Sequence, residues 1–248
     1  MTADDPARPV RADRFLVERG YFPSRALARS AIESGLVTVN GEALTKASRE
    51  IPAGADIVAS APHDYVSRGA LKLEAALKHF GFSPEGRTCL DIGASTGGFT
   101  EVLLRQGAGR VYAVDVGHGQ LHGKIRADAR VVSLEKTDAR ALTTAFIPEP
   151  VECLAADVSF ISLKRVLPPV LPLLAPHAWL VALIKPQFEA GRQAVKKGVV
   201  RDPDVHRRVC DDILRFVGEL AFEVKGVIPS PIPGGEGNRE FLLGAVRR

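Results

Sequence analysis

The chain has 248 residues, 46% hydrophobic and 25% charged, which gives room for one large domain with a real core plus a small appendage and leaves no long polar block to read as disorder. Thirty-three basic residues against 29 acidic ones leave a formal charge of +4, a mild bias toward polyanionic partners. Cys89, Cys153 and Cys210 lie in apolar runs with no C-x-x-C pair, which argues against a disulfide framework or a cysteine zinc site and fits a reducing cytosol.

The first segment is locally basic, with Arg8, Arg11, Arg14, Arg19, Arg25 and Arg29 set against only Asp13 and Glu18. Nucleic-acid contact and a solvated helical face both give this pattern. "RADRFLVERGYFPSRALARSAIESGLVTVNGEAL" divides into two short helices and a hairpin. The first helix ends near Gly20; the second is capped by Ser24 and stopped by Gly35. "LVTVNGEAL" alternates across Asn40-Gly41, a two-residue hairpin signal, and "ADIVAS" supplies a further strand. Arg25 and Arg29 are one helical turn apart and point the same way. This order of helix, "SR", helix and "VTVNG" resembles the small α-L RNA-binding fold shared by a ribosomal small-subunit protein and many pseudouridine synthases. The resemblance implies that the second helix and the hairpin face RNA, placing Arg25, Arg29, Lys46 and Arg49 against phosphates, with Arg14 and Arg68 nearby. The domain is set at residues 8–60, and a short proline-containing linker at 61–66.

From residue 67 to the end the pattern changes. "SRGALKLEAALKHFG" is helical, with Leu73, Leu77 and Phe80 on one face. "TCLDIGA", "RVYAVDVG", "RVVSL", "VECLAADVSF" and "WLVALIKP" read as strands separated by helices. A helix opening at Asp202-Pro203 carries Val205, Val209, Ile213, Phe216 and Leu220 on its buried stripe, and "FEVKGVIPS" and "REFLLGAV" close the run. This is the rhythm of an α/β, doubly wound, mostly parallel seven-stranded sheet. Between Val166 and Ile184 no formal charge appears, but Pro168, Pro169, Pro172 and Pro176 would break a lipid-exposed helix. A short proline-interrupted helix followed by a buried strand is predicted there. No charged start followed by an apolar stretch opens the chain, so no secretory signal is expected. His118 and His122 could share a metal by spacing, yet lack a third ligand nearby and read as loop histidines.

"CLDIGASTGGFT" predicts the turn from the first strand into a helix, where nucleotides bind. Its glycines, Gly93, Gly97 and Gly98, do not fall at the dinucleotide spacing G-x-G-x-x-G. Four acids fall at strand ends: Asp91 beside the loop, Asp115 after the second strand where a carboxylate can accept both ribose hydroxyls, Asp138 after the third and Asp157 after the fourth. A pyrophosphate needs a helix N-terminus free of negative charge. A carboxylate-rich site suits a cationic, phosphate-free nucleoside instead, and S-adenosylmethionine is that ligand. Gly93, Ser95, Thr96, Gly97, Gly98 and Phe99 complete the expected cofactor set with Asp91, Asp115, Asp138 and Asp157, against the plainer reading of an ordinary strand-to-helix turn.

"DIGASTGGFT" with "VYAVDVG" resembles the class I methyltransferase signature. Together with "VSRGALKLEAAL", "ADVSFISL", "IKPQFE" and "GNREF", the chain resembles the TlyA family, also called hemolysin A, whose catalytic domain is like that of the FtsJ ribose methyltransferases. Some members carry Arg-Ala-Trp-Val in the linker where this chain has His63-Asp64-Tyr65-Val66. The resemblance implies a Lys-Asp-Lys-Glu tetrad at Lys72, Asp157, Lys185 and Glu240, and 2′-O-methylation of a cytidine in ribosomal RNA in the cytoplasm. A ribose hydroxyl must lose its proton as it takes the methyl, and an amine accepts that proton only when neutral, a state that burial and a neighbouring cation favour. Lys185, ending an apolar strand, is therefore assigned as base, with Lys72 as the neighbouring charge and Asp157 and Glu240 holding the amines. Arg192, Lys196, Lys197 and Arg201 form a basic loop beside it, either substrate-facing or an ordinary exposed connection. No metal and no membrane partner are expected. A membrane-lysing protein and a non-catalytic ribosome assembly factor are the rival functions.

Overall fold

The computed structural model describes residues 10–22, 24–52, 54–60, 64–195 and 197–248. Arg8, His63 and Lys196, singled out above, lie outside the described residues. The chain divides into two compact units, with the break between Arg68 and Gly69.

In unit 1, β1 (Val10–Arg11) leads into α1 (Ala12–Glu18) and α2 (Arg25–Glu33), followed by β2 (Val37–Val39), β3 (Glu42–Ala43), β4 (Glu50–Ile51) and β5 (Ile57–Ala59). β1 pairs antiparallel with β4, while β3, β2 and β5 form a three-stranded antiparallel sheet. Ser24 Oγ accepts from the Leu27 amide at 3.3 Å, the cap that the sequence predicts for α2. Asn40 and Gly41 both take positive φ, 53° and 80°, which the tight turn between β2 and β3 requires. Phe15, Leu16, Ile32, Val37, Leu44 and Ile51 meet in its core.

Unit 2 opens with α3 (Ala70–Phe80), then β6 (Thr88–Ile92), α4 (Gly98–Arg105), β7 (Arg110–Val114), the single turn α5 (Gly123–Arg126) and β8 (Val131–Leu134). β9 (Val151–Ala156), α6 (Leu163–Val170), β10 (Leu174–Ile184), the single turn α7 (Pro186–Glu189), α8 (Pro203–Glu219), β11 (Phe222–Pro229) and β12 (Phe241–Arg247) follow. The seven strands lie in the order β11-β12-β10-β9-β6-β7-β8. β12 runs antiparallel to both of its neighbours; the other pairings are parallel. This is the doubly wound, mostly parallel sheet predicted above. The apolar stretch predicted not to span a membrane divides into α6, which contains Pro168 and Pro169, and the buried strand β10. Among the described residues no helix is long and apolar enough to cross a membrane.

The chain builds outward from β6 through β7 to β8, then returns to the other side of β6 as β9 and continues to β10. The order therefore reverses between β6 and β9, and connections diverge there, leaving a crevice at the carboxyl ends of these strands. Gly93 sits at that point with φ 85°, and a Cβ on it would lie 2.3 Å from the Asp157 carbonyl oxygen. Only glycine lets the loop after β6 close against the end of β9.

Candidate active site

A cavity of about 510 Å³ opens at this reversal. Gly93, Ser95, Asp115, Asp138 and Asp157 line it, together with apolar walls from Ile92, Val114, Val158, Ile161 and Val166. Asp115 Oδ2 accepts from the Ser95 amide at 2.8 Å and Oδ1 from the Gly117 amide at 2.7 Å, so one carboxylate ties together the loops after β6 and β7. Each of its oxygens keeps a second lone pair for a ligand hydroxyl. Asp138 faces the cavity while bound to Arg140, whose guanidinium holds its carboxyl below the usual range.

The other predicted cofactor residues stand behind this wall. Asp91 is fully buried, its Oδ2 accepting from Thr100 Oγ1 at 2.6 Å. Burial pushes its carboxyl up to about 7, Thr100 opposes the rise, and the charges of Asp157 and Asp115 add to it. Gly97 takes φ 96° and packs under Leu121 and Ile125, Gly98 begins α4, and Phe99 is in the core. Thr96 is exposed, and its carbonyl accepts from the His122 amide. These residues shape the turn from its far side.

The predicted tetrad comes together as two pairs. Lys185 Nζ lies 2.6 Å from Asp157 Oδ1 and donates to Ser159 Oγ at 2.8 Å. The contact with Asp157 is an ion pair by distance and not an aligned hydrogen bond. Lys72 Nζ donates to Glu240 Oε2 at 2.5 Å, with side chains only 9% and 2% exposed. Strand register brings Asp157, Lys185 and Glu240 to one edge, and α3 supplies Lys72. β9 and β10 run parallel, Ala182 opposite Ala156, so Asp157 and Lys185 leave their strands on the same side. Ile184 of β10 is opposite Phe241 of β12, which makes Lys185 and Glu240 the next neighbours across that ladder. A Cβ on Gly234 would fall 1.9 Å from Glu240 Oε1, so the backbone of "IPGGEGN" can lie against this carboxylate only with glycine there.

Sequence reasoning missed Ser159, the hydroxyl that completes the seat of Lys185, and Phe160 beside it. Phe160 is 91% exposed with φ 64°, at the cavity wall, its ring 5.0 Å from that of Phe188. The signal was present in "ADVSF", where an aromatic residue follows a strand-end aspartate and a serine.

In unit 1 the structure gives the predicted arginines a shared partner. Asp13 is fully buried, and its carboxylate accepts from Arg11 at 3.2 Å, Arg25 at 2.8 Å and Arg29 at 3.0 Å. Burial alone would raise the Asp13 carboxyl, but the three guanidiniums hold it well below the usual carboxylate range. Each of the arginines stays about half exposed. Arg14 pairs with Glu18 at 2.5 Å, Arg49 reaches Glu42 at 3.7 Å, and Lys46, Arg68 and Lys197 are exposed.

The cavity passes a chemical test for the cofactor read from the sequence. Its carboxylate-rich, partly apolar wall suits a cationic nucleoside, its volume is that of a small-molecule site, and Asp157 Oδ1 is buried with no aligned donor. The FtsJ-like methyltransferase family matches residues 65–247 of the chain, and the S4 domain family matches residues 10–57. The chain is 48% identical over 240 residues to the Bacillus subtilis protein YqxC, covering 96% of this chain and 85% of that one. It is 45% identical over 240 residues to the 16S/23S rRNA (cytidine-2′-O)-methyltransferase TlyA of Mycobacterium tuberculosis, covering 96% of this chain and 90% of that protein. A solved structure from Streptococcus thermophilus, 42% identical, superposes with a TM-score of 0.77 over 96% of this chain and 88% of its own.

Proposed function

The chain belongs to the TlyA family of FtsJ-like methyltransferases, with an S4 domain ahead of the catalytic one, and from that premise we propose that it methylates a ribose 2′-hydroxyl of cytidine in ribosomal RNA. It is an S-adenosylmethionine-dependent enzyme. The cofactor supplies a methyl group on a sulfonium centre, which leaves as a neutral thioether. Gly93, Ser95, Asp115, Asp138 and Asp157 hold it in this reading, with Asp115 offered to the ribose hydroxyls and the aspartates to the positive centres. Asp91, Thr96, Gly97, Gly98 and Phe99 support the turn from behind.

The observation that carries the reading is the seating of Lys185. An ammonium has three N–H donors. Ser159 Oγ accepts from one of them and Asp157 lies beside Nζ as an ion-pair partner, which leaves a direction for the oxygen of an incoming sugar. Lys185 must be neutral when the 2′-hydroxyl arrives; as the oxygen takes the methyl, its proton passes to Nζ, and the resulting cation finds two acceptors already in place. Lys72 acts at one remove, since Glu240 offsets its charge at 2.5 Å. Glu240, next to Lys185 across the ladder, transmits that positioning. The S4 domain brings the RNA through Arg25 and Arg29, joined by Arg14, Lys46, Arg49 and Arg68, while the exposed Lys197 and Arg201 offer it further cations. Such an enzyme works in the cytoplasm, where ribosomes are assembled.

Transfer of tritiated methyl from S-adenosylmethionine to isolated ribosomal subunits and free rRNA, followed by mapping of the labelled ribose, tests the reading. Label on a cytidine 2′-oxygen is expected. Label on a base, or none on any rRNA substrate, overturns it.

A further inference from the structure

Two short segments frame Lys185, and they are laced together along their length. One runs from Asp157 at the end of β9 to Leu163 at the start of α6; the other is Lys185 with the turn α7. Lys185 makes the first rung, to Asp157 and Ser159. Phe188 makes the second against Phe160, with ring centroids 5.0 Å apart. Glu189 makes the third: its Oε2 accepts from Ser162 Oγ at 2.5 Å and its Oε1 from the Leu163 amide at 2.8 Å. The Phe188 amide to Lys185 carbonyl bond at 2.9 Å and the Ala190 amide to Pro186 carbonyl bond at 2.8 Å close the turn. Lys185 and Glu189 are thus four residues apart across one turn and face the same segment.

The segment they face has reason to need holding. Phe160 takes a left-handed backbone conformation that side-chain-bearing residues seldom adopt, and its ring is almost wholly exposed. Neither feature is favourable by itself, and both would relax if the segment were free. Upstream it is fixed by Asp157 and Ser159 on Lys185; downstream the side-chain anchor is Glu189, which engages Ser162 while Ser162 Oγ also accepts from the Lys164 amide at the start of α6. Glu189 is partly buried, and that burial raises its carboxyl above the ordinary range. Lys164 and Asp212 act on it in opposite directions and pair with each other at 2.5 Å.

We propose that Glu189 is a positioning residue for methyl transfer: by anchoring Ser162 and Leu163 it holds Ser159 against Lys185 and keeps Phe160 presented at the mouth of the cavity. The inference rests on Lys185 as the base. It gives a task to the last residue of "IKPQFE", the motif that begins with that base.

The test uses the full chain and compares wild type, Lys185→Ala, Glu189→Ala and Glu189→Gln in steady-state transfer to ribosomal subunits, with thermal unfolding showing which variants are folded at the assay temperature. Folded Glu189→Ala is expected to lose kcat at least about tenfold, since small misplacements near the reacting atoms are costly. Glu189→Gln, whose amide can still accept from Leu163 and meet the Ser162 hydroxyl, is expected to stay within about threefold of wild type. Wild-type kcat and KM in folded Glu189→Ala overturn the proposal, as does a Glu189→Gln variant as impaired as the alanine one. If Glu189→Ala does not fold, Ser162→Ala takes its place, with a smaller fall in kcat expected and an unchanged kcat overturning the proposal. Full activity in Lys185→Ala would instead remove the assignment on which the inference rests, a separate failure.

Discussion

In unit 1 one carboxylate serves three guanidiniums; in unit 2 each lysine of the site has a carboxylate of its own. Asp13 with Arg11, Arg25 and Arg29 carries a net positive charge and leaves its arginines about half exposed. Lys72 is matched one to one by Glu240, and Lys185 by Asp157, and both pairs are shielded from water. The first arrangement holds cations ready for an anion from solvent, because the buried acid fixes the fork geometry without cancelling the charge. The second has no charge to spare. It fixes amines in position in a medium where an unpaired charge would be costly. In the proposed function the same residue types serve attraction in one unit and placement in the other, and stoichiometry and burial decide which.

The largest effect that would break this contrast is chemical. Lys185→Ala should lower methyl transfer about a thousandfold, within the usual reach of general base catalysis, while calorimetric S-adenosylmethionine affinity stays near that of wild type. Transfer at more than a tenth of the normal rate would show that placement of this amine is not what unit 2 supplies. The next effect is on stability. Glu240→Ala leaves the Lys72 ammonium buried without its partner, and should cost about 3 kcal/mol in urea unfolding followed by Trp179 fluorescence. Replacing both, as Lys72→Met with Glu240→Leu, should recover most of that stability and none of the activity. A double variant that still transferred methyl would make the pair a packing device only.

Much of the fold was legible because its determinants are local. Asn40-Gly41, the Ser24 cap and the prolines of α6 each act within a few residues, and the strand-end acids follow from the alternation of strands and helices. The pairings were not legible in the same way. Glu240 lies 168 positions from Lys72, and Arg29 lies 16 from Asp13; nothing in spacing announces such contacts. Resemblance supplied the four residues of the tetrad but not their division into two pairs, which depends on the register of β9 and β10 and on the packing of α3 against β12. Phe160 escaped because exposure and a left-handed backbone are properties of the folded loop, not of its composition.

Acid and neutral pH sharpen the comparison with a smaller effect. Asp91, pushed up to about 7 by burial, binds its proton more tightly in the folded state than in the unfolded chain, where an aspartate titrates near ~3.9. Its contribution is therefore fully favourable below that ordinary value and is lost as pH rises toward about 7. Asp13 has the opposite sign: its carboxyl is depressed, so its contribution is present above the ordinary range and is lost only as pH falls through the lower folded value. Between pH 5 and pH 6, stability relative to Asp91→Asn should fall by about 1 kcal/mol by Trp179 fluorescence. Hydrogen exchange in α2, compared with Asp13→Asn, should show no pH-dependent difference across that interval. A slope in unit 1, or none in unit 2, would reverse the assignment of charge states.

The smallest effect concerns attraction alone. Removing Arg25 and Arg29 together leaves Asp13 with Arg11, a neutral pair in place of a cationic cluster. Each phosphate that an arginine neutralises releases counterions, so the slope of log affinity against log salt should shrink by about 1 for every phosphate left without its arginine. Near physiological salt, binding to rRNA should weaken several-fold, by an amount that grows as salt is lowered. Cofactor affinity should not change. Single substitutions separate this from loss of fold, because Arg25→Ala keeps Asp13 bonded to Arg11 and Arg29 and should show about half the change in slope. If the double variant bound rRNA with the wild-type slope, the cluster would be a structural hub whose exposed edges meet only water, and unit 1 would differ from unit 2 in degree of burial but not in task.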